Sequence, residues 1–517
     1  MSGVAATASS SSLRRWAPYA AGVLAVLSYI FLSSAGSGPG LPLDDGWIHQ
    51  TYARNLAQTG RWEFAPGVLS AGSTSPLWTV LLAAGYVLRV PYLLWTYLLG
   101  VLSLLGLSGA AMRLWRVLWP AYARRDWLAG TVPALTWPLV WAAASGMETL
   151  LFMALGFWLL AQFMSAEAGG ARMGLAAGLL MLARPEGLIL VVLLAVALLW
   201  QRRWSALGLF CAAALLPLLP YFFFNLTVSG VLWPNTFYAK QTEYAALLAR
   251  PLAQRFLQLL YFSLGGPESG WRGISSAHLL LVPGLAVAGW RALHSDISHR
   301  RLWRSLPLLW AGGHVLAYAT RLPVTYQHGR YLWAAMPVWI LFGLAGWGQI
   351  LTHLQRNGRQ GYGHLRRLLA QVAVPVFAVL LLLFLILGAQ AYADDVAFIE
   401  NEMVDVALWL SDNTPAESLV AAHDIGAIGY FARRPLLDLA GLITPQVIPL
   451  LDDEEALARY VRDAGADYLI TAPGWPYRVL TVAQNSASAV DARLLYSTDF
   501  EWTREQGLNN VEVWRLR

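Results

Sequence analysis

Two adjacent carboxylates, Asp44 and Asp45, stand in a short polar loop directly after an apolar run. A carboxylate placed there can take the proton from an attacking hydroxyl, or hold a divalent cation (Mg, Mn or Ca) that orients it. Charged side chains beside hydrocarbon are expensive, so a pair of them needs a reason. The plainer alternative is capping, with Asp44 or Asp45 satisfying free N–H groups of a helix over 46–58. Neighbours on a helix point about 100° apart and cannot readily aim at one proton. One carboxylate is therefore expected to act as base, with Asp44 preferred over Asp45. The other is expected to cap the helix or hold a metal.

Further polar strings interrupt an otherwise apolar chain. They are Ser145-Gly146-Met147-Glu148-Thr149, Ala183-Arg184-Pro185-Glu186-Gly187, Pro234-Asn235-Thr236-Phe237-Tyr238-Ala239-Lys240 and His328-Gly329-Arg330-Tyr331. Each alone could be a loop cap or an interfacial anchor. Together they place charges of both signs on the side of the membrane that holds Asp44 and Asp45. That is the composition of a site for an anionic, lipid-linked substrate and a nucleophilic hydroxyl. Arg binds phosphate as a fork and Lys as a point charge. Lys240 is the only lysine in the chain. Lys240 and Arg330 are expected to hold the donor phosphate first and Arg184 second, unless Arg184 braces its loop by pairing with Glu148 or Glu186. His49, Tyr52, Arg54, Glu148, Glu186, Asn235, Tyr238, His328 and Tyr331 are expected to line the pocket.

These residues need a membrane to stand beside. The chain has 517 residues, 57% of them hydrophobic and 13% charged, with a mean hydropathy of +0.49. Soluble domains carry about 25% charged residues. The deficit excludes an ordinary cytosolic enzyme, a disordered regulator and a nucleic-acid binder, despite a net charge of +6. The lone Cys211 excludes a disulfide framework and a cysteine metal site. Apolar runs at about 16–34, 127–144, 149–164, 171–184, 187–200, 204–225, 276–290, 305–320, 331–352 and 368–391 read as spans. The first resembles a signal peptide, but a retained helix suits the spans that follow. Arginine clusters at 113–125, 202–203, 291–304 and 356–367 mark cytoplasmic loops. Loops 36–75, 145–148, 184–186, 226–275 and 321–330 then face outward. Residues 76–112, broken at Pro91, hold either two crossings or one crossing and an in-plane helix. The expected fold is a polytopic α-helical membrane protein of about 11–13 spans over 1–392, with a small extracytoplasmic α/β domain over 393–517. In that tail 394–410 reads as helix, and 418–422 and 468–471 as short buried strands. His423-Asp424 reads as a strand-end turn.

The quoted strings also carry a resemblance, together with Tyr52-Ala53-Arg54-Asn55-Leu56 and, in the tail, Asp424-Ile425-Gly426-Ala427-Ile428-Gly429-Tyr430-Phe431 through Asp438-Leu439-Ala440-Gly441-Leu442. As an ordered set over about 40–445 they resemble the GT-C superfamily of membrane glycosyltransferases, most similarly the bacterial arabinofuranosyltransferases. The resemblance implies a GT-C-like bundle in the plasma membrane and a polyprenyl-phosphate-linked sugar as donor, with arabinofuranose one candidate. It implies a glycan, lipid or protein acceptor outside the cytoplasm, inversion at the anomeric carbon, and a catalytic aspartate at Asp44 or Asp45. Gly46-Trp47 and His49-Gln50-Thr51 depart from the pattern of relatives, so sugar and acceptor specificity do not carry over. Two other classes compete. A transporter or flippase of lipid-linked sugars would carry charges within spans or paired broken helices in two related halves, which the chain lacks. A non-catalytic scaffold gives no reason for Asp44-Asp45 beside Arg184, Lys240 and Arg330.

Overall fold

A computed structural model describes residues 2–165, 169–267, 274–299, 303–356, 363–473 and 492–516. Arg300, Arg301 and Arg359, expected in cytoplasmic loops, lie outside the described residues.

Apolar sequence becomes helix here because hydrocarbon offers backbone groups no partner except one another. Among the described residues, four helices are long and apolar enough to cross a membrane: Arg15–Gly36, Tyr92–Leu118, Tyr326–Leu354 and Gln371–Asn413. Two bent pairs raise the count to six, Trp137–Ala144 with Thr149–Ser165 and Trp204–Leu215 with Leu218–Ser229. Hydropathy alone suggested 11–13. The difference lies in helices too short to cross by length. Gly170–Ala183 and Gly187–Trp200 have 14 residues each, about 21 Å of rise. The region around Pro91 is one long helix, Tyr92–Leu118, preceded by the 12-residue helix Pro76–Val87. This matches the one-crossing alternative.

Apolar side chains divide between two solvents. Phe31, Phe223, Val379 and Ile386 are exposed on helix flanks, as lipid-facing residues are. Trp47, Trp78, Trp115, Trp141, Trp310 and Trp333 are fully buried. Tryptophan therefore fills the bundle interior as well as serving as an interfacial anchor.

The loop after the first apolar run is itself a helix, Asp44–Thr59, closed at Gly60 in the left-handed conformation (φ 70°). A hairpin of β1 (Glu63–Ala65) and β2 (Val68–Leu69) follows. Asn55 fixes the hairpin to the helix by donating to the carbonyls of Glu63 (3.1 Å) and Phe64 (2.8 Å).

The tail is a five-stranded mixed sheet in the order β4-β3-β5-β7-β6. Its strands are β3 (Val420–Ala422), β4 (Leu436–Asp438), β5 (Tyr468–Thr471), β6 (Ala492–Ser497) and β7 (Glu512–Leu516). β3 pairs parallel with β4 and β5, while β7 pairs antiparallel with β5 and β6. The amphipathic helix Glu454–Asp463 closes one face through Leu457, Ala458 and Val461. A single long helix carries the chain from the bundle into this domain. It bulges into a π-turn at Ile399–Val404, and the bulge presents Glu402 to the sheet. Glu402 is fully buried and accepts from the hydroxyls of Thr498 and Thr503, from Asn510 Nδ2 (2.8 Å) and from the Val511 N–H (2.9 Å). Bundle and tail thus share one core, in which Val396 and Val406 pack with Val420, Tyr468 and Val513.

Removing a buried acceptor strands every donor that faced it. Glu402→Ala is expected to destabilise the tail by about 1–3 kcal/mol for each donor left buried and unpaired. The result is read as proteolysis of residues beyond 405 at temperatures where the wild-type chain resists.

Candidate active site

The site is built where the loop helix Asp44–Thr59 begins. Leu43 occupies its N-cap position and no side chain caps it, so neither aspartate plays the local capping role expected of one of them. The two carboxylates diverge instead. Asp44 turns to the tail and accepts from the backbone N–H groups of Gly426 (2.6 Å) and Ala427 (2.7 Å), which open the helical turn running to Ala432. Gly426 has no alternative, since any Cβ there would overlap the Asp44 carbonyl. Asp45 turns to the bundle, where it pairs with Arg330 and lies 3.6 Å from Lys240 Nζ. Tyr331 completes the cluster by accepting from Lys240 Nζ (2.8 Å) and Arg330 Nη2 (3.2 Å).

Their surroundings tune the carboxylates in opposite directions. Burial, reinforced by the Asp424 charge, pushes Asp44 up to about 7 despite its two N–H donors. Burial would raise Asp45 as well, but Lys240 and Arg330 outweigh it and hold the carboxyl far below the usual range. The same pairing raises Lys240 against the lowering effect of burial.

Backbone strain delivers Arg330. Gln327 (φ 52°) and His328 (φ 58°) adopt the left-handed region, followed by Gly329 (φ 64°). Non-glycine residues in that region cost about 1–3 kcal/mol each and persist only when surroundings over-determine them. Here they are over-determined. His328 Nε2 meets Asp395 Oδ2 at 2.7 Å, the Trp333 indole donates to the His328 carbonyl (2.9 Å), and the Trp137 and Trp141 rings flank the imidazole.

A second cluster occupies the elbow between Trp137–Ala144 and Thr149–Ser165, which bends by 117° at Gly146 (φ 77°). There Arg184 donates to Glu148 (2.7 Å), Glu186 (3.0 Å) and the Tyr318 hydroxyl (3.1 Å). His49, one helical turn beyond Asp45, lies 3.2 Å from Glu148 Oε2. Glu186 is lowered to about 2, Arg184 and Tyr318 outweighing its burial. Arg184 is thus committed to two carboxylates, the bracing alternative to phosphate binding.

Asp45, His49, Glu148, Arg184, Glu186, Lys240, Arg330 and Tyr331 all line one cavity of about 380 Å³, with Trp233, Phe237 and Leu322 among its apolar walls. Asp44, Tyr52, Arg54, Asn235, Tyr238 and His328 do not line it. Tyr52 donates to Ser70 Oγ (2.8 Å) inside a small core with Phe64 and Ile425. Asn235 holds the loop through its N–H to the Ala71 carbonyl (3.0 Å), Tyr238 packs edge-on against Phe237, and Arg54 faces the tail. Asp44 and Asp45 diverge, and among the described residues no three His, Cys, Asp or Glu side chains converge as metal ligands. Sequence reasoning missed Tyr318, Asp395 and the Gly426–Ala427 amides. Only the last had a signal, the Gly426-Ala427 step inside a glycine-spaced string.

Comparison with solved structures identifies the fold. ArnT from Cupriavidus metallidurans bound to undecaprenyl phosphate superposes with a TM-score of 0.58 and 15% identity, over 95% of this chain and 96% of that one. Archaeal oligosaccharyltransferase AglB from Archaeoglobus fulgidus, in complex with an inhibitory peptide and a dolichol-phosphate, superposes with a TM-score of 0.59 and 12% identity, over 92% and 72%. The chain has the fold of the GT-C glycosyltransferases. A family model described as a domain of unknown function, DUF8728, matches residues 391–514. No curated protein sequence matches the chain.

Two predictions follow from the junction of loop and tail. Gly426→Ala forces the amides away from Asp44 and is expected to lower stability by about 1–3 kcal/mol, measured as a fall in Tm accompanied by reduced turnover. His423 lies 3.0 Å from Asp424 and 3.5 Å from Glu243. Burial opposes its charge, but these carboxylates prevail and raise it to about 10. A raised histidine stabilises fully below its unfolded value of about 6.5 and loses that contribution as pH climbs through the folded one. Tm is therefore expected to decline between pH 6.5 and 10, with a shallower decline in His423→Gln.

Proposed function

We propose that this chain is an inverting glycosyltransferase of the plasma membrane. It would move a sugar from a polyprenyl-phosphate donor to a glycan, lipid or protein acceptor on the outer face. The observation that carries the reading is the Asp45 carboxylate held between Lys240 and Arg330 in an apolar-walled cavity. Direct displacement at an anomeric carbon needs one base for the incoming hydroxyl and positive charge for the leaving phosphate. The cluster supplies both.

In this reading the donor phosphate takes the cations that Asp45 holds. Once they turn to the phosphate, the carboxylate is less stabilised and becomes a better base. The acceptor hydroxyl gives its proton to Asp45 and its oxygen bonds to the anomeric carbon. The bond from that carbon to the phosphate oxygen breaks, and the electron pair stays with the phosphate. Lys240 and Arg330 gain most from the charge that develops there, so they favour the transition state over the ground state. Asp44, the base preferred from sequence, serves here to position the start of the helix. Arg184 orders Glu148 and Glu186 at the cavity wall. Arabinofuranose is the first sugar to test, on the sequence motifs alone.

Asp45→Asn is expected to lower turnover by about 10²–10⁴-fold with donor binding retained, while Asp44→Asn chiefly lowers Tm. Lys240→Ala and Arg330→Ala are expected to weaken donor-dependent kcat/KM. Steady-state assays with a polyprenyl-phosphate sugar series measure all four. Near-wild-type turnover in Asp45→Asn would remove Asp45 as the base, and no sugar transfer by the wild-type chain with any donor of the series would turn the reading toward a transporter or scaffold.

A further inference from the structure

A second pocket, of about 130 Å³, lies between the loop helix, the β1–β2 hairpin and the tail, lined by Arg54, Gln58, Pro66, Gly429, Arg433 and Arg434. Three arginines meet there and no carboxylate lines the pocket. Arg54 is 7% exposed, yet its partners are all neutral. It donates to the carbonyls of Tyr430 (2.6 Å) and Gly429 (3.4 Å) and to Asn55 Oδ1 (3.3 Å), and its guanidinium stacks 4.6 Å from the centre of the Tyr430 ring. Buried charges are ordinarily paired. The hairpin's own carboxylate, Glu63, faces Arg61 and the Gly67 N–H instead.

Arg433 supplies an independent observation. It ends a helical turn in the left-handed region, at φ 52°, where glycine or asparagine is the ordinary choice. An arginine held there at a conformational cost, with its side chain on the same pocket as Arg54, keeps a second cation where the backbone favours none. Arg434 is engaged with the carbonyls of Ser411 and Thr414 (2.7 Å each) and Ala432 (3.0 Å), and adds a fixed third charge. Burial, and then the Arg433 charge, lower Arg54, which marks the repulsion an anion would relieve. Nine residues separate Arg54 from Asp45, about half a turn out of phase and about 14 Å along the helix. The pocket is therefore on the opposite face from the 380 Å³ cavity.

We propose that Arg54, Arg433 and Arg434 form a second anion site that takes a single phosphate group and ties the tail to the loop helix. The phosphate comes either from a free anion or from an anionic lipid headgroup. The site does not depend on the donor reading.

The test uses the full chain, purified without phosphate, with inorganic phosphate titrated against chloride at constant ionic strength. Wild type is expected to show a saturable Tm rise of about 2–4 °C. Arg433→Gly suits the left-handed backbone, so it leaves the ligand-free fold intact while abolishing the part of the rise that persists in an Arg330→Ala background, where the donor cavity is disabled. Arg330→Ala, altered in the other cavity, is expected to keep it. A parallel arm compares phosphatidylcholine nanodiscs with and without phosphatidylglycerol. Arg433-dependent stabilisation by phosphate identifies a free anion, and by phosphatidylglycerol a headgroup. No saturable response in either arm, a response that survives in the Arg330→Ala, Arg433→Gly double variant, or one lost in Arg330→Ala would overturn the proposal.

Discussion

Two carboxylates on consecutive residues at the start of a helix cannot share one partner, and the architecture follows from how that conflict is resolved. Asp44 is drawn to two backbone amides of the tail, and Asp45 to two cations of the bundle. The loop helix is thereby clamped at its first turn between the bundle and a tail segment 382 residues further along the chain. Together the two partner sets fix the position of the helix start. The tail is thus part of the scaffold of the site, as its shared core with the bundle also requires.

Rigidity elsewhere serves the same end. The left-handed run before Arg330 is strained and is held by the His328–Asp395 contact and three tryptophans. The elbow at Gly146 is held by Arg184 between Glu148 and Glu186. In both clusters each charge has an oppositely charged or ionisable partner beside it. In the proposed reading the Asp45, Lys240, Arg330 and Tyr331 group on the cavity exchanges partners when a phosphate arrives.

Charge in an apolar chain is easily read. Asp45, Lys240, Arg330, Arg184, Glu148 and Glu186 stood out because a polar side chain beside hydrocarbon demands a use, and the structure gathers them around one cavity. What was not legible is which way each side chain faces. His328 stands two residues before the cavity residue Arg330 and Arg54 five after His49, but one is locked under the bundle and the other turned to the tail. The partners of Asp44 were missed because capping was sought within its own helix, whereas the amides it satisfies belong to Gly426 and Ala427. Hydropathy found the apolar helices. It could not see that Leu135 and Thr136 divide 127–144 into two helices, Asp126–Ala134 and Trp137–Ala144. Strands β3 and β5 were visible as short apolar runs. β7 and the order of the sheet depend on pairings remote in sequence.

The central claim is that Asp45, Lys240 and Arg330 form the reacting cluster, with the phosphate replacing the carboxylate as partner of the cations. A cryo-EM map of the Asp45→Asn chain with a polyprenyl-phosphate sugar tests this directly. The account predicts phosphate density within hydrogen-bond reach of Lys240 Nζ and the Arg330 guanidinium, with the anomeric carbon facing residue 45. Phosphate density remote from both cations, in a map where the lipid is resolved, would contradict it.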